Sequence, residues 1–320
     1  MHFSVSGVDT WVFIPPLVAF IVSFFTSMAG VSGAFLLLPF QMSVLHFTSP
    51  SVSATNFVFN IVAIPSGVYR YIREGRMAWP LAWVIIAGTL PGVFIGYYLR
   101  VLYLPDPRGF KLFVACVLLY IGGRLLYDLT QRAQRGKKAM KTLEEKFSEH
   151  ARAVKAGRSA RLSAGLPAEA VVKTVSYSFT RVVYRFWDQE FSFSTVGMFV
   201  LAFVVGVIGG TYGVGGGAMI APFCVAVFQL PIYTVAGPSL MAALLTSVAG
   251  VFFYSVMPSQ MGMPTAPDWL LGFLFGVGGF AGVYCGARLQ KYFPQKFIQL
   301  MLGMIIVFLA LSYVAPFFAA

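Results

Sequence analysis

The sequence predicts an all-α polytopic membrane protein made of two inverted-topology repeats of about five hydrophobic segments each, with glycine-broken helices and a small polar insert. Three observations predict it. Of 320 residues, 58% are apolar and only 11% charged, against about 25% charged in soluble domains. The apolar residues fall into ten runs, most near the roughly 20 residues a helix needs to cross the hydrocarbon. And one glycine cluster occurs twice, at matching places in the two halves.

The first repeat, 1–128, carries runs at about 11–28, 34–47, 52–72, 80–100 and 110–128. The start, Met1–Asp9, has no positively charged stretch, so the first run reads as a retained span and not a cleaved signal. The second repeat, 195–320, carries runs at about 195–211, 217–231, 235–256, 268–288 and 297–317. The first two runs of each set are short and flank the glycine cluster. They fit re-entrant half-helices and thin full spans equally well.

Residues 129–195 hold 13 Lys and Arg against 6 Asp and Glu, more than half of the +12 net charge. Basic loops stay on the cytoplasmic side, so the insert 129–194 is expected there, with Arg70, Arg73, Arg76, Arg288, Lys291 and Lys296. The segment between Tyr254 and Trp269 has no Lys or Arg and falls outside, as do both termini. Arg100, Arg108 and Lys111 run against the rule. Within the insert, Lys137–Gly157 has helical spacing, and Val171–Phe193 alternates as two short strands, a hairpin.

The repeat itself is read from a shift of 183 residues, which pairs Gly30 with Gly213, Val31 with Val214, Gly33 with Gly216, Pro39-Phe40 with Pro222-Phe223 and Gly67 with Gly250. At a shift of 190, Trp79, Gly88, Gly92 and Gly96 pair with Trp269, Gly278, Gly282 and Gly286. The small-xxx-small spacing of those last glycines suits close helix packing. Five segments per half make the second half enter the membrane from the opposite face.

A glycine cluster breaks a helix, and paired breaks in the two halves of a transporter point to its binding site. Each break exposes amides at the start of the next helix, around Ala34–Leu36 and Gly217–Met219, where the helix dipole favours an anion. Gly30, Ser32, Gly33, Ala34, Thr211, Tyr212, Gly213, Gly215, Gly216 and Gly217 are therefore candidate substrate-binding residues. Polar residues inside apolar runs cost free energy unless they are satisfied, which adds Thr55, Asn56 and Asn60 of the third segment, Ser239 opposite Asn56 in the repeat, and Gln41. Asn56 and Asn60 are four apart and share a helix face. The expected partners are a small anion and the lipid bilayer. A homo-oligomer is left open, and the short insert gives no case for nucleic acid.

Other chemistry finds little support. Cys116, Cys224 and Cys285 are solitary, His2, His46 and His150 are scattered, and no P-loop lysine, H-E-x-x-H or C-x-x-C occurs. No metal, cofactor or enzymatic activity is expected. Gly30-Val31-Ser32-Gly33 resembles the G-x-S-G stretch of rhomboid-type intramembrane serine proteases, so a hydrolase using Ser32 is one alternative. The repeat, however, replaces Ser32 by Gly215. A membrane adaptor acting through the insert is the other. Arg124 and Asp128 are read as a structural ion pair, Arg70 and Arg73 as snorkelling anchors.

The motifs Gly30–Pro39 and Gly213–Pro222, each followed by a polar segment ending in Ser66-Gly67 or Ala249-Gly250, resemble the TauE/SafE sulfite-exporter family. The likeness covers both membrane halves and leaves out the insert. It implies a secondary transporter moving sulfite, organosulfonates or related small anions across the bacterial inner membrane.

Overall fold

The computed structural model describes residues 1–28, 30–127, 129, 149, 171–187, 189–256, 265–290 and 295–318. A short antiparallel pair, β1 (His2–Phe3) and β2 (Val8–Asp9), opens the chain. The first membrane half is α1 (Ile14–Met28), α2 (Ala34–Ser43), α3 (Ser51–Arg73), α4 (Trp79–Tyr98, ending in a π-helical turn Leu99–Tyr103) and α5 (Pro107–Tyr127). The second half is α6 (Thr195–Tyr212), α7 (Gly217–Phe228), α8 (Ile232–Val256), α9 (Trp269–Leu289) and α10 (Gln295–Phe318). Among the described residues, five helices are long and apolar enough to cross a membrane: α3, α4 with its π turn, α6, α8 and α9. Trp11, Trp79 and Trp269 stand exposed at segment ends, where indole rings favour the lipid–water interface.

The two halves are interleaved, and glycine sets the register. Helix α9 lies along α1: a Cβ on Gly278 would meet Pro16, one on Gly282 would meet Phe20 and Ser23, and one on Gly286 would meet Phe24 and Ser27. Helix α4 lies along α6 in the same way. Gly88 faces Phe199 and Ala202, Gly92 faces Phe203 and Val207, and Gly96 faces Val207 and Thr211. Subtracting 183 from those α6 positions returns the α1 contacts within a residue or so, so one packing is repeated across the molecule. Backbone stands at van der Waals range of backbone there, which only glycine allows.

The same contacts give directions. Thr55 meets Asp268, Ser66 donates to Phe280 O, and Tyr71 reaches Gln290, so α3 runs parallel to α9, as α1 does. Helix α1 therefore descends beside α9 for its full length. Helix α2, at 10 residues, is about 15 Å long, half the ~30 Å hydrocarbon thickness. One end of the bundle carries the α3–α4 turn and the start of α8. The other carries β1–β2, the start of α3 and the end of α4. Ser6 ties β1–β2 there by donating N–H (3.1 Å) and Oγ–H (2.8 Å) to Asp268 Oδ2, while Asp268 Oδ1 caps α9 at Leu271 N.

The strands at the end of the insert number three, not two: β3 (Lys173–Tyr177), β4 (Arg181–Phe186) and β5 (Gln189–Ser194), antiparallel in the order β3-β4-β5. The expected hairpin missed the last strand because Trp187 takes φ +50°, turning the chain sharply before Gln189. This sheet sits at the α3–α4 end. Val172 N donates to Gly75 O at 2.9 Å, and the buried Tyr184 shares a hydrogen bond of 2.8 Å with Thr234 of α8. Burial pushes the Tyr184 phenol well up, more than the Thr234 bond lowers it. The expected helix Lys137–Gly157 lies, Glu149 apart, outside the described residues, as does Asp128.

Candidate functional site

The two helix breaks have one backbone design. Gly30 (φ +71°) and Gly213 (φ +84°) both take the left-handed conformation that L-residues with a side chain avoid. After each, an amide bonds five residues back: Val31 N to Thr26 O (3.1 Å) and Val214 N to Gly209 O (3.0 Å). That is the Schellman ending of a helix. Gly33 and Gly216 then stand at the starts of α2 and α7.

The prolines nine residues after Gly30 and Gly213 explain what holds the breaks together. Pro39 and Pro222 lie inside α2 and α7. Having no N–H, each frees the carbonyl four residues earlier, Phe35 O and Ala218 O. Each freed carbonyl accepts from the opposite half: Tyr212 Oη donates to Phe35 O (2.9 Å) and Ser32 N to Ala218 O (3.4 Å). The two interruptions thus cross, each supplying an acceptor to the other.

Asn56 and Asn60 of α3 fill the crossing. Asn56 Nδ2 donates to Ala34 O (2.9 Å) and Gly213 O (3.1 Å), and its Oδ1 accepts from Gln41 Nε2 (3.4 Å). Asn60 Nδ2 donates to Val214 O (2.9 Å) and Ser247 Oγ (3.0 Å), and its Oδ1 accepts from Ser32 Oγ (2.5 Å). All these side chains are buried. In the second half no asparagine is needed, because Gly217 presses directly on the α8 backbone: an added Cβ would lie 2.2 Å from Ala243 N and 2.5 Å from Ser239 O. Positions 56 and 60 correspond to Ser239 and Ala243 at the shift of 183.

The sequence-predicted residues separate accordingly. Gly30, Ser32, Gly33, Ala34, Gln41, Asn56, Asn60, Tyr212, Gly213, Gly216 and Gly217 lie at the crossing; Gly215 (φ +80°) faces Thr246 and Ser247 beside it, and Ser239 backs α7. Two do not turn their polar groups to it. Thr55 Oγ1 accepts from Asp268 N (2.9 Å) at the bundle end, and Thr211 Oγ1 donates back to Val207 O (2.8 Å). The first amides of α2 are committed too: Ala34 N to Ser32 Oγ, Phe35 N to Ser32 O, Leu36 N to Gly33 O. Among the described residues, the amides of Gly33 in one break and of Gly216 and Gly217 in the other make no hydrogen bond. Gln41 Oε1 and Ser239 Oγ are buried without a hydrogen-bond partner among the described residues. For Ser32 as a nucleophile no base stands by among the described residues: its hydroxyl donates to an amide oxygen, and His46 is exposed elsewhere.

Sequence reasoning missed a buried cluster at the α3–α4 end. Glu74 pairs with Arg70 (2.5 Å) and with Arg76. Arg76 Nη1 and Tyr71 Oη both donate to Gln290 Oε1 (3.0 and 3.1 Å), and Gln290 Nε2 donates to Met28 O (2.9 Å) at the end of α1. Arg70 is thus an ion-pair partner and not a snorkelling anchor, whereas Arg73 is exposed. The available signal was Glu74 itself, the sole acid between Asp9 and Asp106.

The family model described as Sulfite exporter TauE/SafE matches residues 16–313, nearly the whole chain. A protein named "Probable membrane transporter protein YunE", from Bacillus subtilis (strain 168), is 22% identical over 288 residues, covering 88% of this chain and 89% of its own. No solved structure matches. With its doubled Gly–Pro break and a family match running from α1 into α10, the chain belongs to the TauE/SafE sulfite exporter family.

Proposed function

We propose that this membrane transporter moves small sulfur oxyanions or organosulfonates by alternating access between its two halves, and that the crossing of the two breaks holds the anion. The observation carrying this is the crossing itself. Two left-handed glycine breaks meet in the bundle interior, polar and buried, with the Gly33 and Gly216 amides uncommitted and two α-helix starts alongside. Amides at helix starts suit anionic oxygen, and the Asn56 and Asn60 amides can re-pair from carbonyls to an anion. The arrangement described is read as the occluded one, in which protein acceptors take those donors. Sulfur chemistry is favoured by the family description.

In orientation, the β3–β5 end is assigned to the cytoplasm and both termini to the periplasm of a bacterial inner membrane, with the repeats bounded at 1–128 and 195–320. Grouping Arg70, Arg73 and Arg76 with the sheet at one end supports it.

A thermal-shift panel of purified protein with sulfite, thiosulfate, taurine, isethionate and sulfoacetate tests the reading. A true ligand at about 100 times its Kd stabilises by about 2.7 kcal/mol. Stabilisation by at least one of the five is expected. No response from any, together with no flux in proteoliposomes, contradicts the substrate class.

A further inference from the structure

At the shifts that relate the halves, the Tyr71–Gln290 pair has a counterpart at the opposite end of the bundle. Tyr71 corresponds to Tyr254, 183 residues on, and Gln290 to Arg100, 190 residues back. Tyr254 and Arg100 are indeed neighbours, close enough to interact electrostatically, and both are buried. The two ends differ in charge. At the α3–α4 end, the buried Arg76 is neutralised by Glu74. At the other end Arg100 is completely buried, and among the described residues its acceptor is the Leu104 carbonyl, which receives Nη1. The guanidinium lies over the Phe110 ring, 3.7 Å from its centroid.

The remaining edge is the informative part. Nε and Nη2 are both buried and, among the described residues, have no hydrogen-bond partner. These atoms form the side-on fork of arginine, two parallel N–H donors spaced for two oxygens on one centre. A buried charge without a counter-ion is costly. The α8–α9 loop, in the place where the first half has Glu74, contains no acid from 255 to 267. The acids otherwise found at this end are committed: Asp9 to His2, Asp106 to Gly109 N and Asp268 to the α9 cap. The arginine also rides on the π-helical turn Leu99–Tyr103, an irregularity frequent at functional sites.

We infer that the Nε/Nη2 edge of Arg100 binds a small oxyanion, a sulfonate, sulfite or carboxylate group, at the bundle end opposite the α3–α4 turn. The site lies on the approach to the crossing. Tyr254 packs, tilted by 58°, against Phe57 of α3 (5.9 Å between centroids), one turn along from Ser53, which a Cβ on Gly213 would strike. The sulfur identity of the anion rests on the proposed function; the oxyanion geometry does not.

Purified full-length protein is titrated calorimetrically with sulfite, methanesulfonate and chloride, wild type beside Arg100→Gln and Arg100→Lys, each first checked for a monodisperse size-exclusion profile. The inference expects saturable binding of the two oxyanions, with one site lost or weakened about 10- to 100-fold in Arg100→Gln. Arg100→Lys, which keeps the charge and loses the fork, should be weakened similarly. Should Arg100→Gln not stay monodisperse, Arg100→Lys decides alone. Unchanged binding in the variants, chloride as tight as the oxyanions, or no binding to wild type overturns the inference. Arg100-dependent binding without transport of any sulfur anion would sink the proposed function and leave the site standing. Transport with binding indifferent to Arg100 would do the reverse.

Discussion

Gly213→Ala and Gly30→Ala make the same chemical change at equivalent places in the two breaks, yet the structure predicts unequal results. Both positions have positive φ, +84° and +71°, and an alanine there costs about 1–2 kcal/mol in backbone strain. The space differs. A Cβ on Gly213 would lie 2.3 Å from Ser53 Cβ and 2.5 Å from Ser53 Cα, whereas one on Gly30 would meet Ala236 Cβ at 3.0 Å and its Cα at 3.2 Å. Ser53 belongs to the first turn of α3 and cannot yield without moving that helix. Overpacking of this kind adds about 1–3 kcal/mol. Gly213→Ala should therefore lose about 2–5 kcal/mol, and Gly30→Ala little more than the strain. Adding Ala236→Gly should recover part of the smaller loss. Denaturant titration of the three variants in detergent, beside wild type, reads the order. Equal losses, or a larger one for Gly30→Ala, would refute the claim that the Gly213 turn is wedged against α3.

Further outcomes follow from other contacts. Asn60→Ala removes three buried hydrogen bonds, to Ser32, Val214 and Ser247, at about 1 kcal/mol each; a loss of about 2–4 kcal/mol in the same titration is expected. Glu74→Gln leaves the buried Arg76 without its carboxylate and should cost about 3–5 kcal/mol, with Glu74→Asp recovering part of it. The phenol of Tyr184 is raised by burial, so the folded state holds its proton more tightly than the unfolded chain does. Its contribution is therefore complete below about pH 10, the unfolded value, and is lost as the pH climbs above that. Alkaline melts should fall less steeply for Tyr184→Phe than for wild type; identical slopes would count against sheet docking through Tyr184.

Much of the architecture was legible because symmetry doubles every signal. The shift of 183 aligns Gly30 with Gly213, and both are left-handed. The shift of 190 marked Gly88, Gly92 and Gly96 with their mates as packing positions, and each presses on a backbone of the other half. What stayed hidden depends on three-dimensional pairing. Pro39 and Pro222 stood in the motif, but the recipients of their freed carbonyls, Tyr212 and Ser32, come from the opposite half. The amides of Ala34, Phe35 and Leu36 were expected to face a ligand, yet the Ser32–Gly33 turn absorbs them. Thr55 read as site lining because polarity in a helix does not say which neighbour satisfies it, and Asp268 does. Arg100 looked like an exception to a charge rule; only its burial and unpaired edge give it a meaning.

If the two breaks form the anion's path, Asn60 lines it. Counterflow of labelled sulfite into proteoliposomes, wild type beside Asn60→Asp, tests this most directly. Aspartate keeps the oxygen that accepts from Ser32 but replaces the donor to Val214 and Ser247 with a negative charge that repels an anion. Saturable counterflow is expected in wild type, and its loss in a folded Asn60→Asp protein. Undiminished counterflow in that variant would contradict it.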